Sequence, residues 1–165
     1  MFDLKPLTPE AVPSALEKAL RYRLLHEPGE AESICLDVLA VEPDNQKALV
    51  LLLLSISDRF GRGYAISSTT IRDILARLTD DYERCYYAGI ASERSGKAQL
   101  VQDGPGSGVA AYELLREAMD SYEQAEKIRP PGNDDALLRW NACARVIMGN
   151  KLSARVAERY EPALE

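Results

Sequence analysis

The chain has 165 residues and a mass of 18.3 kDa, which suits one domain or a short array of repeats. Hydrophobic residues make up 46% of the sequence and charged residues 28%, so the chain can bury a core and differs from disordered sequences. A net charge of −6 argues against a basic nucleic-acid-binding domain. Three cysteines and one histidine are too few for most zinc frameworks.

The sequence contains no pattern typical of export or membrane insertion. Its first residues lack the basic start and apolar run of a signal peptide. The longest apolar run, residues 48–54, is far shorter than the ~20 residues that a membrane-spanning helix needs. An odd number of widely spaced cysteines favours free thiols in a reducing compartment. We therefore expect a cytoplasmic protein that has neither a membrane nor a nucleic acid as its partner.

Helical periodicity covers almost every long segment, and no stretch alternates with period two. The first helix is predicted to begin with Thr8 as its N-cap and a proline at the first helical position. A second helix follows the break at 27–29. A third is predicted over 46–59, after a cap at Asp44 or Asn45. Because the third helix is apolar nearly all round, it should lie between other elements.

The second half of the chain continues the same pattern. Periodicity predicts four further helices, over about 68–78, 80–100 and 109–128 and from Asp134 onwards. A Gly-rich segment at 103–108 is predicted to be a flexible connection. A last amphipathic stretch, 151–160, is expected to cap the array. Short turns between helices join antiparallel neighbours, so the predicted class is all-α with about seven to eight helices.

The second and sixth helices share one spacing of a small residue, a larger residue four positions later and a helix-ending proline. These positions are Ala31, Cys35 and Pro43 in the second helix and Ala118, Tyr122 and Pro130 in the sixth. The pattern resembles the second helix of a tetratricopeptide (TPR) repeat. Ala19 and Tyr22 fit the first helix of that family. In the fifth helix, Gly89 and Gly96 match the family's packing glycine and its turn glycine.

The spacing between the two prolines also fits the resemblance. Pro43 and Pro130 are 87 residues apart, 19 more than two repeats of about 34 residues. Most of that surplus, about 17 residues, falls between Gly89 and Ala118. The resemblance implies a short right-handed TPR-like solenoid of stacked antiparallel helix pairs; an unrelated helical bundle is the alternative. Its units would be pairs at about 9–42, 45–78 and 80–129, a Gly-rich insertion near 102–108, and capping helices over 133–160.

The resemblance also implies that the first helix of each pair lines a concave groove that binds a peptide or a partner helix. The matching positions are Leu16, Leu20, Arg23, Val50, Leu51, Leu54, Asp58, Tyr86, Tyr87, Ile90, Arg94, Leu138, Arg139, Ala142 and Arg145. Aromatic and arginine side chains are enriched at binding hot spots, and arginine binds carboxylates with two hydrogen bonds. We therefore expect a protein partner with apolar anchors and acidic groups. The alternative is that the leucines are core residues and the arginines are merely solvated.

No residue set predicts an enzyme, a cofactor site or a metal site. The glycines Gly104, Gly106 and Gly108 lack the preceding strand and the following Lys-Ser/Thr of a phosphate loop. His26 has no second histidine to help it bind a metal. The prediction is a non-enzymatic adaptor or scaffold for protein–protein interaction. Alternatives are a self-associating subunit that buries its groove or convex face in a homodimer and, less favoured, a small helical ligand-binding protein or enzyme.

Overall fold

Seven α-helices form in the order that the periodicity predicts. A computed structural model of the chain describes residues 2–62 and 68–154, and within these ranges it contains no strand. The helices are α1 Val12–Leu24, α2 Pro28–Val41, α3 Gln46–Ser57, α4 Ser68–Arg77, α5 Asp81–Gln102, α6 Ser107–Lys127 and α7 Asp135–Gly149. The all-α class is therefore confirmed. None of these helices combines the length and the apolar composition that crossing a bilayer requires.

Side-chain caps begin two of the helices. The Asn45 side chain accepts a hydrogen bond of 3.0 Å from the backbone N–H of Ala48 at the start of α3. Asp80 caps α5 in the same way, through a 2.8 Å bond from the N–H of Glu83. Such caps satisfy backbone donors that have no partner within the helix. Thr8 is the N-cap residue of a short 3-10 helix, Pro9–Ala11, that precedes α1, with proline at its first position as expected. The expected side-chain cap of the α-helix is wrong, because Thr8 makes no capping bond and α1 begins at Val12.

The main contacts between helices join elements that are one or two positions apart in the chain. Each helix contacts the next, α1 also contacts α3, and α3 also contacts α5. One hydrophobic cluster lies mainly among α1 to α4, and a second lies mainly among α5, α6 and α7. Leu54 of α3 and Tyr87 of α5 contact both clusters. The apolar α3 is thus packed between neighbours, as its composition predicts.

The surplus residues of the second half lie mostly in two long helices. The helices α5 and α6 have 22 and 21 residues, whereas the other five have 10 to 15. Only four residues, 103–106, connect them. Asp103 is the first residue of this connection and Gly106 the last, and both have left-handed backbone conformations, with φ of 44° and 79°. The Gly-rich segment therefore forms a tight turn, and most of the expected insertion is helical.

Two glycines let α5 and α6 approach closely along their length. A Cβ on Gly89 would lie 2.5 Å from the Tyr122 ring, and one on Gly96 would lie 3.1 Å from Leu115. Both glycines are inside α5 and buried. The expectation that Gly96 marks a turn is therefore wrong. Its missing side chain serves helix packing, the role that was expected of Gly89 alone.

The predicted capping stretch over 151–160 begins without helix. Residues 151–154 are not helical, and Lys151 has a left-handed φ of 53°. Leu152 nevertheless packs against the second hydrophobic cluster. The rest of the predicted cap, from residue 155, lies outside the described residues. The array of described helices therefore ends with α7 and the side chain of Leu152.

The close contact at Gly89 leads to a test of the packing. We expect Gly89→Ala to lower the free energy of unfolding by about 1–3 kcal/mol, because the added methyl overpacks against the Tyr122 ring. Gly29→Ala is the matched control: nothing lies within 4 Å of a Cβ there, and alanine favours a helix by about 0.5–1 kcal/mol over glycine. Urea unfolding followed by circular dichroism measures both. Equal stability of the two variants would contradict the packing described for Gly89.

Candidate functional site

The residues predicted to line a groove lie on α1, α3, α5 and α7, which we call the first-helix row. Contacts place α1 beside α3 and α3 beside α5. A hydrogen-bonded ion pair of 3.3 Å between Arg139 and Glu93 links α7 to α5. The row thus brings together side chains from four helices that are far apart in sequence.

Asp58, at the C-terminal end of α3, joins three helices of the row. Its carboxylate accepts a 2.6 Å bond from Arg23 of α1 and forms a 3.0 Å ion pair with Arg94 of α5. Arg94 also donates to the Leu54 carbonyl at 3.0 Å and to the Ser57 hydroxyl at 2.5 Å. Arg94 is therefore held against α3. Its charge is paired within the protein, so a partner would meet it as part of this ion-pair network. Two arginines share one carboxylate, which leaves a positive surplus here.

Glu93 is a buried carboxylate at the junction of α5, α6 and α7. It is 1% exposed and accepts bonds from Lys97 at 2.5 Å and from the Tyr122 hydroxyl at 2.6 Å, besides the pair with Arg139. Burial acts to raise the pKa of Glu93, but these hydrogen bonds and the charges of Lys97 and Arg139 outweigh it. The pKa of Glu93 is lowered from its ordinary value, so the group is charged at neutral pH. Burial and the Glu93 contact raise the pKa of Tyr122, which keeps its hydroxyl a donor.

Tyrosines of α5 form an aromatic cluster within the row. The Tyr82 and Tyr86 rings are stacked with centroids 5.7 Å apart, and Tyr87 meets Tyr86 edge-on at 5.2 Å. Tyr86 also lies 5.9 Å from the Tyr122 ring. Tyr82 donates a 3.2 Å hydrogen bond to Asn133, before α7. The α5 tyrosines are only partly buried, so they retain surface that another molecule can contact.

The predicted groove residues differ in how much surface they offer. Ile90 was expected to line the groove, but it is 3% exposed and packs in the second cluster, so it does not reach the surface. The leucines and valine of α3 that were predicted to line the groove are partly buried against the first cluster; they are Val50, Leu51 and Leu54. Leu20 and Leu138 are 43% and 61% exposed, and Arg145 is also exposed. The available apolar surface therefore lies near the two ends of the row.

Two open pockets adjoin the C-terminal ends of α1 and α3. One, of about 240 Å³, is lined by Arg23, Leu24, His26, Pro28, Asp58 and Arg62. The other, of about 350 Å³, is lined by Ser57, Asp58, Phe60, Gly61, Arg62, Arg94, Lys97, Ala98 and Val101. The pockets share Asp58 and Arg62, so they are neighbours. Arg62 and Lys97 are not among the residues predicted to line the groove. The available signals were the position of Arg62 between two glycines and that of Lys97 in the part of α5 that exceeds the repeat length.

The described residues contain no metal-ligand cluster, and the two buried cysteine thiols are not activated. Among them, no group of three or more His, Cys, Asp or Glu side chains is arranged to hold a metal ion. Burial, the larger effect, and a nearby glutamate raise the pKa of the Cys35 and Cys143 thiols to about 12. These thiols are protonated at neutral pH and therefore weak nucleophiles. What the row offers is ion pairs, aromatic rings and open pockets, which suit binding.

Comparison with protein-family models, with curated proteins and with solved structures found no match.

The Glu93 network predicts a specific pH dependence of stability. We expect Glu93→Gln to lower the free energy of unfolding at pH 7 by about 1–3 kcal/mol, because a charged acceptor is lost from its donors. Since folding lowers the pKa of Glu93, its contribution is present above the ordinary glutamate pKa and is lost as the pH falls through the lowered value. The difference in the free energy of unfolding between wild type and Glu93→Gln should therefore become smaller as the pH is lowered. Urea unfolding between pH 7 and pH 3 measures it.

Two further variants control this experiment. Glu117→Gln changes an exposed glutamate of α6 and should alter stability by less than about 0.5 kcal/mol at every pH. Tyr122→Phe removes one donor to Glu93, so the pKa of Glu93 should rise and the acid loss of stability should begin at higher pH. A difference between wild type and Glu93→Gln that stays constant with pH would contradict the charged state assigned to Glu93.

Proposed function

We propose that this protein is a non-enzymatic adaptor that binds a peptide segment of a partner protein along the first-helix row. The observation that carries the proposal is the row itself: four helices linked side by side through Asp58 and through Glu93, with exposed apolar and aromatic side chains on them. In this proposal the helices stack as antiparallel pairs in a short TPR-like solenoid, and the first helix of each pair faces the partner.

The order of helix contacts supports the solenoid arrangement. In a stack of helix pairs, each helix meets its chain neighbours and the equivalent helix of the next pair. The contacts of each helix with the next, and those of α1 with α3 and of α3 with α5, are the ones that this rule predicts for the first helices of successive pairs. Gly89 on α5 and the Ala118 and Tyr122 positions on α6 are also buried in helix contacts, which is consistent with the small and aromatic residues of a repeat of this kind.

The side chains of the row favour a peptide over a small polar metabolite. Leu20 on α1 and Leu138 on α7 supply exposed apolar surface at the two ends. Between them, Tyr86 and Tyr87 supply partly exposed aromatic rings on α5. Contacts spaced along several helices suit an extended chain with several apolar anchors.

The charge of the row favours a partner segment with acidic groups. The whole chain carries a net charge of −6, yet cations outnumber carboxylates in the two ion-pair networks of the row. These networks contain Arg23, Arg94, Lys97 and Arg139 against the two carboxylates of Asp58 and Glu93. A local positive surplus attracts acidic segments and repels basic ones. The adaptor is therefore expected to select acidic, apolar-anchored peptides.

Selection of peptides from a displayed library tests this proposal. Random twelve-residue peptides are selected on the full chain, and the dissociation constants of the retained sequences are measured by fluorescence anisotropy. We expect Leu20→Glu and Leu138→Glu each to weaken binding at least tenfold, because each removes an apolar contact and places a negative charge where an acidic peptide lies. Leu36→Glu is the matched control, since Leu36 is an exposed leucine on α2, outside the row.

Two results would overturn the adaptor proposal. One is that no library peptide binds the wild-type chain more tightly than a scrambled sequence. The other is that Leu36→Glu weakens binding as much as the row variants, which would place the contact elsewhere. Light scattering of the same samples addresses the homodimer alternative: a dimer that Leu20→Glu or Leu138→Glu converts to monomer would assign the row to self-association instead.

A further inference from the structure

Residues of the loop after α3 line both pockets. The smaller pocket is completed by the end of α1 and the α1–α2 turn, and the larger one by the second half of α5. Gly61 has a left-handed φ of 78°, and a Cβ there would lie 3.2 Å from the Cβ of Ala98. The loop therefore packs directly against α5 at this point. This contact fixes the separation between Arg62 on the loop and Lys97 on α5, which both line the larger pocket.

Three of the four α5 residues that line the larger pocket come from the surplus length of that helix; the fourth is Arg94. The other helices of the row have 12 to 15 residues, and α5 has 22. Counted from Asp81, a helix of 15 residues would end at Ser95, before Lys97, Ala98 and Val101. The larger pocket therefore exists because this chain extends α5 beyond the length of its neighbours.

The pockets are lined by more cations than carboxylates. Four arginine and lysine side chains line them, namely Arg23, Arg62, Arg94 and Lys97, against the single carboxylate of Asp58. Arg23 and Arg94 already pair with Asp58, and Lys97 pairs with the buried Glu93. Arg62 is exposed, and its side chain has no ion-pair partner among the residues described. It is shared by both pockets and is therefore the cation best placed to meet an added anion.

Apolar side chains lie on either side of this charge. The smaller pocket has Leu24 and Pro28, and Leu24 is exposed. The larger pocket has Phe60, Ala98 and Val101, and Val101 is 80% exposed. Exposed aliphatic groups beside an unpaired guanidinium suit a ligand that has apolar groups on both sides of a negative charge.

We propose that these two pockets act as one trough that binds a peptide segment whose acidic side chain pairs with Arg62 and is flanked on both sides by apolar side chains. One flanking side chain contacts Leu24 and the other contacts Val101. This inference rests on the proposed peptide-binding function. It adds the residue pattern that the peptide must have, apolar–acidic–apolar, and the subsite that binds that pattern. The trough has more cations than carboxylates although the whole protein is acidic, and this local positive charge is complementary to an acidic peptide.

The library peptides that bind the wild-type chain provide the probe for this subsite. We expect them to share an Asp or Glu between apolar residues, and Arg62→Gln to weaken their binding at least tenfold. Arg116→Gln, which removes an exposed arginine from α6, is the matched control and should leave binding unchanged. Because Arg62 and Val101 are exposed, thermal unfolding of their variants should match wild type.

A charge exchange separates direct pairing from a general electrostatic effect. Arg62→Glu should abolish binding of the acidic peptide and restore binding of the same peptide with its acidic residue replaced by lysine. For the apolar flank, Val101→Ser should weaken binding several-fold, whereas Leu36→Ser on α2 should not. A structural role of Arg62 alone would not reverse the charge preference of the protein.

The outcomes distinguish this subsite from the proposed function. If Leu20→Glu weakens peptide binding but Arg62→Gln and Arg62→Glu leave it unchanged, the trough inference is wrong and the adaptor proposal stands. If no peptide binds, or if neither row nor trough variants affect binding, the adaptor proposal fails and the trough inference fails with it. Peptides that lack any acidic residue but still depend on Arg62 would also overturn the recognition pattern.

Discussion

The close approach of α5 and α6 at Gly89 is the constraint on which most of the second half depends. Without a side chain at Gly89, the Tyr122 ring lies directly against α5. In that position the Tyr122 hydroxyl reaches Glu93, one turn further along α5, at 2.6 Å. Glu93 then holds Arg139 and so ties α7 to the same helix. A single absent methyl group thus sets the position of three helices, because the polar contacts depend on the packing beneath them.

The Glu93 network contributes to geometry more than to net stability. Moving a carboxylate out of water is costly, and ion pairs repay that cost only when their hydrogen bonds are well made. Here the donors come from α5, α6 and α7, so the carboxylate is satisfied in one arrangement of these helices. Asp58 acts similarly between α1, α3 and α5, at lower burial. The two carboxylates together fix the spacing of the first-helix row, on which any extended ligand would depend.

Local patterns in the sequence predicted the all-α class and placed most helix ends within a few residues. Proline, glycine and asparagine affect the backbone within one helical turn, so the Asn45 cap was predictable from the sequence. Thr8 is also a residue type that caps helices, but its side chain makes no capping bond. Contacts between distant residues were not predictable in the same way. Arg94 was predicted as a groove residue from its position alone, and its ion pair with Asp58, 36 positions earlier in the chain, could not be predicted from that position. The pockets were missed because their walls come from a loop and from a helix extension that meet only in the folded chain.

The tight turn at residues 103–106 determines how the surplus length is accommodated. The turn reverses the chain between α5 and α6, which pack against each other. Residues added on both sides of the turn would therefore lengthen both helices, and their side chains would pack against one another. Two extra turns on each helix, about seven residues, extend this projection by about 10 Å. The bases of both helices, with Gly89 and Glu93, keep their positions whatever the length of the projection. Residues added at this tip would therefore lengthen both helices while the contacts at Gly89 and Glu93 stay unchanged.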